Sequence, residues 1–174
     1  MTPASVKKTE ASPMRAITPF LWLDGCAAEA VDFYCSIFPD SEITRIIHKP
    51  DEPAAGSVLT IKFKLKGEEF IAFNASSPFR FSEALSMMIL CDTQEEIDYY
   101  WEKLAEGGTP LAAGWLKDRY GLSWQVTPAE FFHLMDSEDV EHNARLMAAM
   151  NTMVKFDLET LRAASRGEWQ PDAN

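Results

Sequence analysis

The strongest constraint on the fold is an order of apolar patterns that occurs twice along the chain. In each half, a short β-prone run precedes an amphipathic helical stretch, and three further strand candidates follow it. A switch from a period of two residues to a period of 3.6 and back predicts a β-α-β-β-β module. The sequence therefore predicts two such modules in tandem. The repeat is one of topology and not of residue identity.

The first module is predicted over residues 14–79. Its opening strand is Ile17 to Leu23, where Pro19 indicates a sheet edge or a strand start. Asp24 is expected to cap a helix that Pro39 stops. The helix has one apolar stripe, formed by Ala30, Phe33, Tyr34, Ile37 and Phe38. The three remaining strands are predicted at Glu42 to His48, Ser57 to Leu65 and Glu68 to Asn74, with a tight turn at Lys66-Gly67-Glu68.

The second module is predicted over residues 80–128. Leu85 to Leu90 is its first strand, and Thr93 with Glu96 forms a capping box for the helix. The helix stripe is Ile97, Tyr100, Trp101 and Leu104, closed by Gly107-Gly108. Three short strands are predicted at Leu111 to Ala113, Trp115 to Lys117 and Ser123 to Thr127.

Helical patterns dominate after Pro128, and C-terminal helices are predicted over residues 129–166. One is Ala129 to Met135. The next has the stripe Val140, Ala144, Met147 and Ala148, and the last carries Phe156, Leu158, Leu161 and Arg162. Residues 1–13 and 167–174 are predicted to be flexible tails. The methionines at 147, 150 and 153 favour adaptable helix packing, or alternatively a dimer contact.

The charge of the chain excludes some classes of partner. The formal net charge is −11 and the isoelectric point is near 4.7, whereas nucleic-acid binding requires a basic face. The acidity also disfavours anionic membrane surfaces, and no apolar run approaches the roughly 20 residues that cross a bilayer. Cys26, Cys35 and Cys91 are an odd number without CxxC spacing, which favours reduced thiols in a cytoplasmic protein.

The segment from Gly114 to Pro128 is the most distinctive part of the sequence. It reads Gly-Trp-Leu-Lys-Asp-Arg-Tyr-Gly-Leu-Ser-Trp-Gln-Val-Thr-Pro, in which strand-like runs flank a tight polar turn. This pattern predicts a β-hairpin. Asp118 is expected to cap the turn, because a short carboxylate bonds readily to nearby backbone amides.

The two modules and this hairpin resemble the PhnB-like branch of the vicinal oxygen chelate superfamily, which includes glyoxalase I, the fosfomycin- and bleomycin-resistance proteins and extradiol dioxygenases. The similar pieces are Thr18 to Trp22, Ala30 to Tyr34, Phe38-Pro39, Phe73-Asn74, Tyr100 to Leu104, Gly107-Gly108 and the hairpin. The resemblance implies an α+β fold: two tandem βαβββ modules form curved mixed sheets, followed by C-terminal helices. Members of this branch often carry the name 3-demethylubiquinone-9 3-methyltransferase. This sequence has no glycine-rich strand-to-helix loop for a nucleotide-like cofactor, so its residues do not support methyl transfer.

The resemblance also says where a catalytic metal would be held. Metal-dependent members place His or Glu ligands on four strands of the cup. The corresponding strands here offer no such residue before Asp24, and then only Asn74, Ser86 and Gln125, the last at the position where the metal enzymes carry Glu. Neutral amides and a hydroxyl are weak ligands for a divalent cation. No cofactor is therefore predicted, although a divalent metal at other ligands stays an alternative.

Polar groups in an apolar cup remain as the candidate site. Asn74, Ser86 and Gln125 would orient a ligand by hydrogen bonds. Aromatic walls would come from Trp22, Phe73, Trp101, Trp115, Tyr120 and Trp124, each of which could instead be a core residue. For Gln125, the alternative is a buried amide that bonds to neighbouring strands.

Three functional hypotheses stay open at this point. The first is a metal-free homodimer that binds a small apolar or aromatic molecule in a composite cup. The second is a metal-dependent enzyme of the glyoxalase or dioxygenase type. The third is a non-catalytic dimeric interaction module, in which Met147 or Met150 would matter more than the cup residues.

Overall fold

The computed structural model of the chain describes residues 17–50 and 56–170. These residues form an α+β fold with two four-stranded mixed sheets and five helices, as the sequence predicts. The chain divides between Ser76 and Ser77 into two compact units, called unit 1 and unit 2 below. The boundaries predicted at residues 79, 128 and 166 stay predictions. The predicted tail at 1–13 lies outside the described residues.

Unit 1 contains one helix and one sheet. Its elements are β1 (Phe20–Leu23), α1 (Ala27–Ile37), β2 (Glu42–His48), β3 (Val58–Leu65) and β4 (Glu68–Asn74). The strand order is β1-β4-β3-β2, with β1 parallel to β4 and the other pairs antiparallel. Lys66 and Gly67 both have positive φ in the β3–β4 turn, as a two-residue hairpin loop with right-handed twist requires.

The core of unit 1 lies between α1 and one face of its sheet. Alternate residues of β3, namely Ile61, Phe63 and Leu65, are buried as the period-2 pattern predicts. They share that face with Leu21, Leu23, Phe70 and Ala72, while α1 contributes Ala27, Ala30, Val31, Tyr34 and Ile37. The opposite face of the sheet, which is called the open face of unit 1, carries half-exposed and exposed side chains.

Unit 2 repeats this order and adds the C-terminal helices. Its elements are β5 (Ser86–Cys91), α2 (Gln94–Ala105), β6 (Thr109–Pro110), β7 (Trp115–Lys117), β8 (Ser123–Pro128), α3 (Ala129–Met135), α4 (Val140–Thr152) and α5 (Leu158–Arg166). The strand order is β5-β8-β7-β6, with β5 parallel to β8. Helix α2 packs with its buried Ile97, Tyr100 and Leu104 against the sheet, and Thr93 caps it by accepting the Glu96 amide at 3.2 Å.

Two predicted elements of unit 2 differ from the structure. The strand expected at Leu111 to Ala113 is instead Thr109–Pro110. Ala113 has a left-handed φ of 54°, and its amide bonds to the Met153 carbonyl at 2.8 Å, so this segment turns towards the C-terminal helices. The stripe predicted for α4 is also wrong, because its buried residues are Leu146 and Ala149, whereas Val140 and Met147 are exposed.

The hairpin predicted at Gly114 to Pro128 is present as β7 and β8. Gly114 has a φ of 77°, and a Cβ at this residue would lie 2.6 Å from the Phe156 ring and 2.7 Å from the Val126 carbonyl. The Gly114 amide also donates to the Val154 carbonyl at 2.8 Å. The glycine therefore lets the segment after α4 pack directly on the hairpin.

No helix in residues 17–50 and 56–170 is both long enough and apolar enough to cross a membrane. None of the three cysteines forms a disulfide bond; Cys91 is buried and the other two are half-buried.

Candidate functional site

The open face of unit 1 is organised in rows that run across its four strands. The register places Trp22, Phe73, Thr60 and Ile47 side by side in one row. The next row is Phe20, Ile71, Lys62 and Arg45. In these two rows, the residues on β1 and β4 are thus apolar and largely aromatic, and those on β3 and β2 are mixed.

The three aromatic side chains of this face form one cluster. The Phe73 ring lies 5.3 Å from Trp22 in an edge-on arrangement and 5.7 Å from Phe20. Trp22 and Phe73 are half-buried and Phe20 is 56% exposed. The Trp22 indole N–H donates to the Ala75 carbonyl at 3.0 Å, so its ring is fixed in orientation. Trp22 and Phe73 therefore present an ordered aromatic surface, and their predicted part in ligand binding stays a prediction.

Asn74 caps the start of α1, which is the role that the sequence predicted for Asp24. Its side-chain oxygen accepts the Ala27 amide at 3.2 Å at the start of α1, and its amide nitrogen donates to the Val58 carbonyl at 3.1 Å. The N-cap residue itself is Cys26, which makes no side-chain cap. Asp24 is thus not the cap, because the chain turns at Gly25 and a residue from β4 reaches the helix end instead. Both groups of the Asn74 amide are engaged within unit 1.

Unit 2 also has a sheet face opposite its helix α2, called the open face of unit 2. The register sets Met88, Gln125 and Trp115 side by side in one row, and Ser86, Ser123 and Lys117 in the next. Met88 is exposed, and Trp115 and Gln125 are half-buried. The two neighbours of Gln125 in its own row are therefore both apolar.

Gln125 and Ser86 are brought together in unit 2. The Gln125 amide nitrogen donates to the Ser86 hydroxyl at 2.7 Å. No described residue donates a hydrogen bond to the Gln125 side-chain oxygen. This oxygen is therefore an oriented acceptor, and it lies on a sheet face that is partly apolar. Ser123, in the same row as Ser86, is fully buried, and its hydroxyl lacks a hydrogen-bond partner among the described residues.

Three other predicted site residues lie away from these open faces. Trp124 is buried on the α2 side of the sheet, because neighbours in a strand point to opposite faces and Gln125 takes the open one. Trp101 lies half-buried on α2 itself, and Tyr120 lies in the hairpin turn. This placement differs from the expected aromatic walls and leaves Trp115 as the aromatic residue beside Gln125.

A family comparison identifies the group of proteins to which this architecture belongs. The family model described as 3-demethylubiquinone-9 3-methyltransferase matches residues 15–127, which include both sheets and the hairpin. The chain belongs to this family. The match ends at β8, so α3, α4 and α5 lie beyond the part that the family model covers.

Solved structures agree with the family assignment. A PhnB protein from Bacillus cereus, named as a candidate 3-demethylubiquinone-9 3-methyltransferase, is 39% identical, with a TM-score of 0.61, and the match covers 66% of this chain and 100% of that one. A Pseudomonas aeruginosa protein shares the fold at 20% identity and a TM-score of 0.53, over 64% of this chain and 95% of that one. No curated protein matches the chain.

The donor set of this family member does not fit a metal. Among the described residues, no three His, Cys, Asp or Glu side chains lie where they could hold one ion. Asn74 is committed to α1 and β3, and Gln125 to Ser86. Both are also neutral, and a divalent cation favours charged oxygen or imidazole donors. The open faces therefore offer hydrogen bonds and apolar contact.

A cavity of about 380 Å³ lies in unit 2, away from these faces. It is lined by Asp92, Thr93, Gln94, Glu95, Asp157, Leu158, Glu159 and Arg162, at the starts of α2 and α5. Half of the lining residues are acidic, and Arg162 is paired with Glu130 at 2.6 Å. Its chemistry does not match an apolar ligand.

The sequence analysis missed several residues of the open faces. Phe20, Ile71, Arg45 and Lys62 in unit 1, and Met88 in unit 2, share these faces with the predicted residues. Alternation within each strand could have indicated the face of each residue. The neighbours across strands could not be read from one sequence, because they depend on the register and on a bulge between Ile43 and Arg45.

Proposed function

We propose that this protein binds a small apolar or aromatic molecule on the open faces of its sheets. The observation that supports the proposal is the aromatic cluster of Phe20, Trp22 and Phe73, which is ordered yet accessible. Exposed aromatic surface is costly in water unless something covers it. On unit 2, the Gln125 side-chain oxygen, which accepts no hydrogen bond from a described residue, would orient a ligand bound at the open face of that unit itself.

The proposal includes no metal and no methyl transfer. The neutral side chains of Asn74, Ser86 and Gln125 support the absence of a metal. The β1–α1 junction supports the absence of methyl transfer, because it has a single glycine, Gly25, and not a glycine-rich loop for a nucleotide-like cofactor. The junction between β5 and α2 contains no glycine at all. A metal-dependent enzyme is the competing function. It requires stoichiometric metal in the purified protein and turnover that a chelator abolishes.

The binding proposal is tested with N-phenyl-1-naphthylamine, a neutral aromatic dye that fluoresces in apolar surroundings. Phe20→Ser should weaken its binding about fivefold, since roughly half of one phenylalanine's contact area is lost. Phe132→Ser in α3 is the matched control, because Phe132 is 48% exposed and makes the same change of side chain. Equal affinity of wild type and Phe20→Ser would contradict binding at this face.

The role of Gln125 is tested with two fluorescent compounds that differ in one hydrogen-bond donor: 1-naphthol, the substituted dye, and naphthalene, its parent. Gln125→Leu should weaken the binding of the substituted dye and leave the binding of its parent unchanged, because only the substituted dye donates a hydrogen bond to the side-chain oxygen. Ser86→Ala should have a smaller effect on the same dye, since Ser86 orients the amide and does not replace it. Identical losses for both dyes would assign Gln125 to packing alone.

We further propose that the protein is a homodimer that pairs through β2. All seven residues of this edge strand are exposed, and Ile43, Ile46 and Ile47 lie among them. A long apolar edge is usually blocked or paired, because its free backbone groups pair readily with another strand. Sedimentation equilibrium should show a dimer that Ile46→Lys dissociates and that Val154→Lys, at another exposed apolar residue, leaves intact. A monomeric wild type would contradict this pairing.

A further inference from the structure

We propose that the ligand of the unit 2 open face is a neutral aromatic amide, whose N–H and C=O groups are bound by Gln125 and Ser86. The inference rests on the proposed function and narrows it, for this face, to one chemical class. A primary carboxamide on an aromatic ring, or a lactam fused to one, would satisfy it.

The pairing of Gln125 with Ser86 leaves one acceptor and one donor unused. The Gln125 amide nitrogen donates to the Ser86 hydroxyl at 2.7 Å. The Gln125 oxygen receives no hydrogen bond from a described residue, and the Ser86 hydroxyl donates its own hydrogen to none of them. A hydroxyl that accepts one hydrogen bond can still donate another. Both residues are half-buried, so both keep part of their surface open to a ligand.

The arrangement of these two groups matches an amide. The Gln125 oxygen and nitrogen share one carbon atom, and the Ser86 oxygen lies beside that nitrogen. The free acceptor and the free donor are therefore close neighbours. An amide also carries its N–H and its C=O on a single carbon, so it can donate to Gln125 and accept from Ser86 at the same time. A ketone or an ether offers no hydrogen to the Gln125 oxygen.

The charges around this pair favour a neutral ligand. Lys117 lies in the same row as Ser86, two strands away. Its ammonium is paired with Glu83 at 2.5 Å, and this hydrogen bond is the first cause of the lowered pKa of Glu83. An aromatic carboxylate would have to compete with Glu83 for Lys117, and it would set a second acceptor against the Gln125 oxygen. The amide avoids both costs.

The residues beside Gln125 supply the apolar part of the site. Met88 and Trp115 are its neighbours in the row, on β5 and β7. Met88 is 46% exposed and Trp115 is half-buried. Side chains directly opposite each other in adjacent strands lie about 5 Å apart at Cβ, so an aromatic ring against either one keeps its substituent near the Gln125 amide. Thioether and indole groups both pack favourably on aromatic rings.

The test compares three naphthalene derivatives by ¹⁵N NMR titration. They are 2-naphthamide, 2-acetylnaphthalene, in which a methyl group replaces the amide NH₂, and 2-naphthoate, in which a carboxylate replaces the whole amide. The wild type should bind 2-naphthamide about fivefold more tightly than either of the others, because only the amide both donates to Gln125 and accepts from Ser86. The side-chain amide signal of Gln125 should shift on binding.

Variants at the two residues should separate the two hydrogen bonds. Gln125→Leu should remove the advantage of 2-naphthamide over 2-acetylnaphthalene, since the ketone never uses the Gln125 oxygen. Ser86→Ala should weaken the binding of both compounds about threefold, because both offer a carbonyl to the Ser86 hydroxyl. Ser123→Ala is the matched control, since it removes the same group from the neighbouring residue of the row. Ser123 is fully buried and its hydroxyl lacks a partner among the described residues, so both affinities should stay unchanged.

Equal affinities of the wild type for 2-naphthamide and 2-acetylnaphthalene would overturn the amide inference, while the proposed function stands. Shifts confined to unit 1 would overturn it in the same way. Losses from Ser123→Ala as large as those from Ser86→Ala would also overturn it, because they would come from a disturbed sheet and not from a lost hydrogen bond. If neither these compounds nor N-phenyl-1-naphthylamine binds, the inference and the proposed function are both overturned.

Discussion

Asp118 accepts a hydrogen bond from the indole N–H of Trp124 at 2.8 Å, and both residues belong to the β7–β8 hairpin. Its other carboxylate oxygen accepts the amides of Tyr120 at 2.8 Å and Leu122 at 3.0 Å. Asp118 and Trp124 are each only 3% exposed. The carboxylate thus fixes the turn and the buried tryptophan together, which confirms its predicted capping role and extends it to the core.

Replacing Asp118 by alanine should lower the free energy of unfolding by about 3 kcal/mol, because two buried N–H donors and one part-buried N–H donor lose their charged acceptor. Urea unfolding followed by tryptophan fluorescence measures this loss. Arg119→Ala in the same turn is the control. Arg119 pairs at the surface with Glu106 at 3.1 Å, so its loss should cost under about 1 kcal/mol. Equal losses for the two variants would show that Asp118 acts only as a surface charge.

Asn74→Ala should destabilise unit 1 by about 1 to 2 kcal/mol. The change leaves the Ala27 amide at the start of α1 and the Val58 carbonyl without their partners. Asp24→Ala, at the residue that the sequence predicted as the cap, should cost less. Thermal unfolding of both variants compares the two residues, and a larger loss for Asp24→Ala would contradict the observed cap.

Gln94 connects α2 to the segment before α5. Its amide nitrogen donates to the Phe156 carbonyl at 3.1 Å and to Asp98 at 3.0 Å, and its oxygen accepts the Leu158 amide at 2.9 Å. Gln94→Ala should lower the free energy of unfolding by about 1 to 2 kcal/mol and speed amide exchange in α5. Glu102→Ala, at an exposed residue of the same helix, should do neither. Unchanged exchange in α5 would show that other contacts hold the segment.

The pairing of Glu130 with Arg162 should make stability depend on pH. The side-chain hydrogen bond from Arg162 holds the pKa of Glu130 below its ordinary value of 4.5. A lowered folded-state pKa stabilises the protein above the unfolded-state value and loses that contribution as the pH falls through the folded-state pKa. Both side chains are more than a third exposed, so the effect should be only about 0.5 kcal/mol.

The measurement is the difference in unfolding free energy between wild type and Glu130→Gln at several pH values. This difference should be present at pH 7 and should decline as the pH falls through the lowered folded-state pKa of Glu130. Glu138→Gln, at an exposed residue outside this ion pair, is the control. A difference that grows as the pH falls would have the wrong sign for this ion pair.

The periodicity of the sequence was enough to predict most of the secondary structure. The bounds of β2, β4 and α3 agree with the prediction, because alternation, turn glycines and Pro128 mark them locally. The stripe of α4 was wrong since Val140 and Met147 are apolar yet face solvent. The spacing of apolar residues along a helix does not show which of two overlapping stripes packs against the rest of the protein.

The candidate site was predicted less completely, because its residues meet across strands and not along them. The pairing of Gln125 with Ser86 joins residues 39 apart in the chain, and the cap from Asn74 to Ala27 joins residues 47 apart. Trp124 and Gln125 are sequence neighbours that lie on opposite faces of the sheet. Aromatic content alone therefore did not separate ligand-facing side chains from core side chains.

The most direct test of ligand binding at the open faces is a ¹⁵N NMR titration with N-phenyl-1-naphthylamine in the presence of a chelator. The indole N–H of Trp22 and the side-chain amide of Gln125 should shift. The indole of Trp124, which bonds to Asp118 on the opposite face of its sheet, should stay unchanged as an internal control. Shifts confined to Trp124, or shifts that require an added divalent metal, would contradict metal-free binding at these faces.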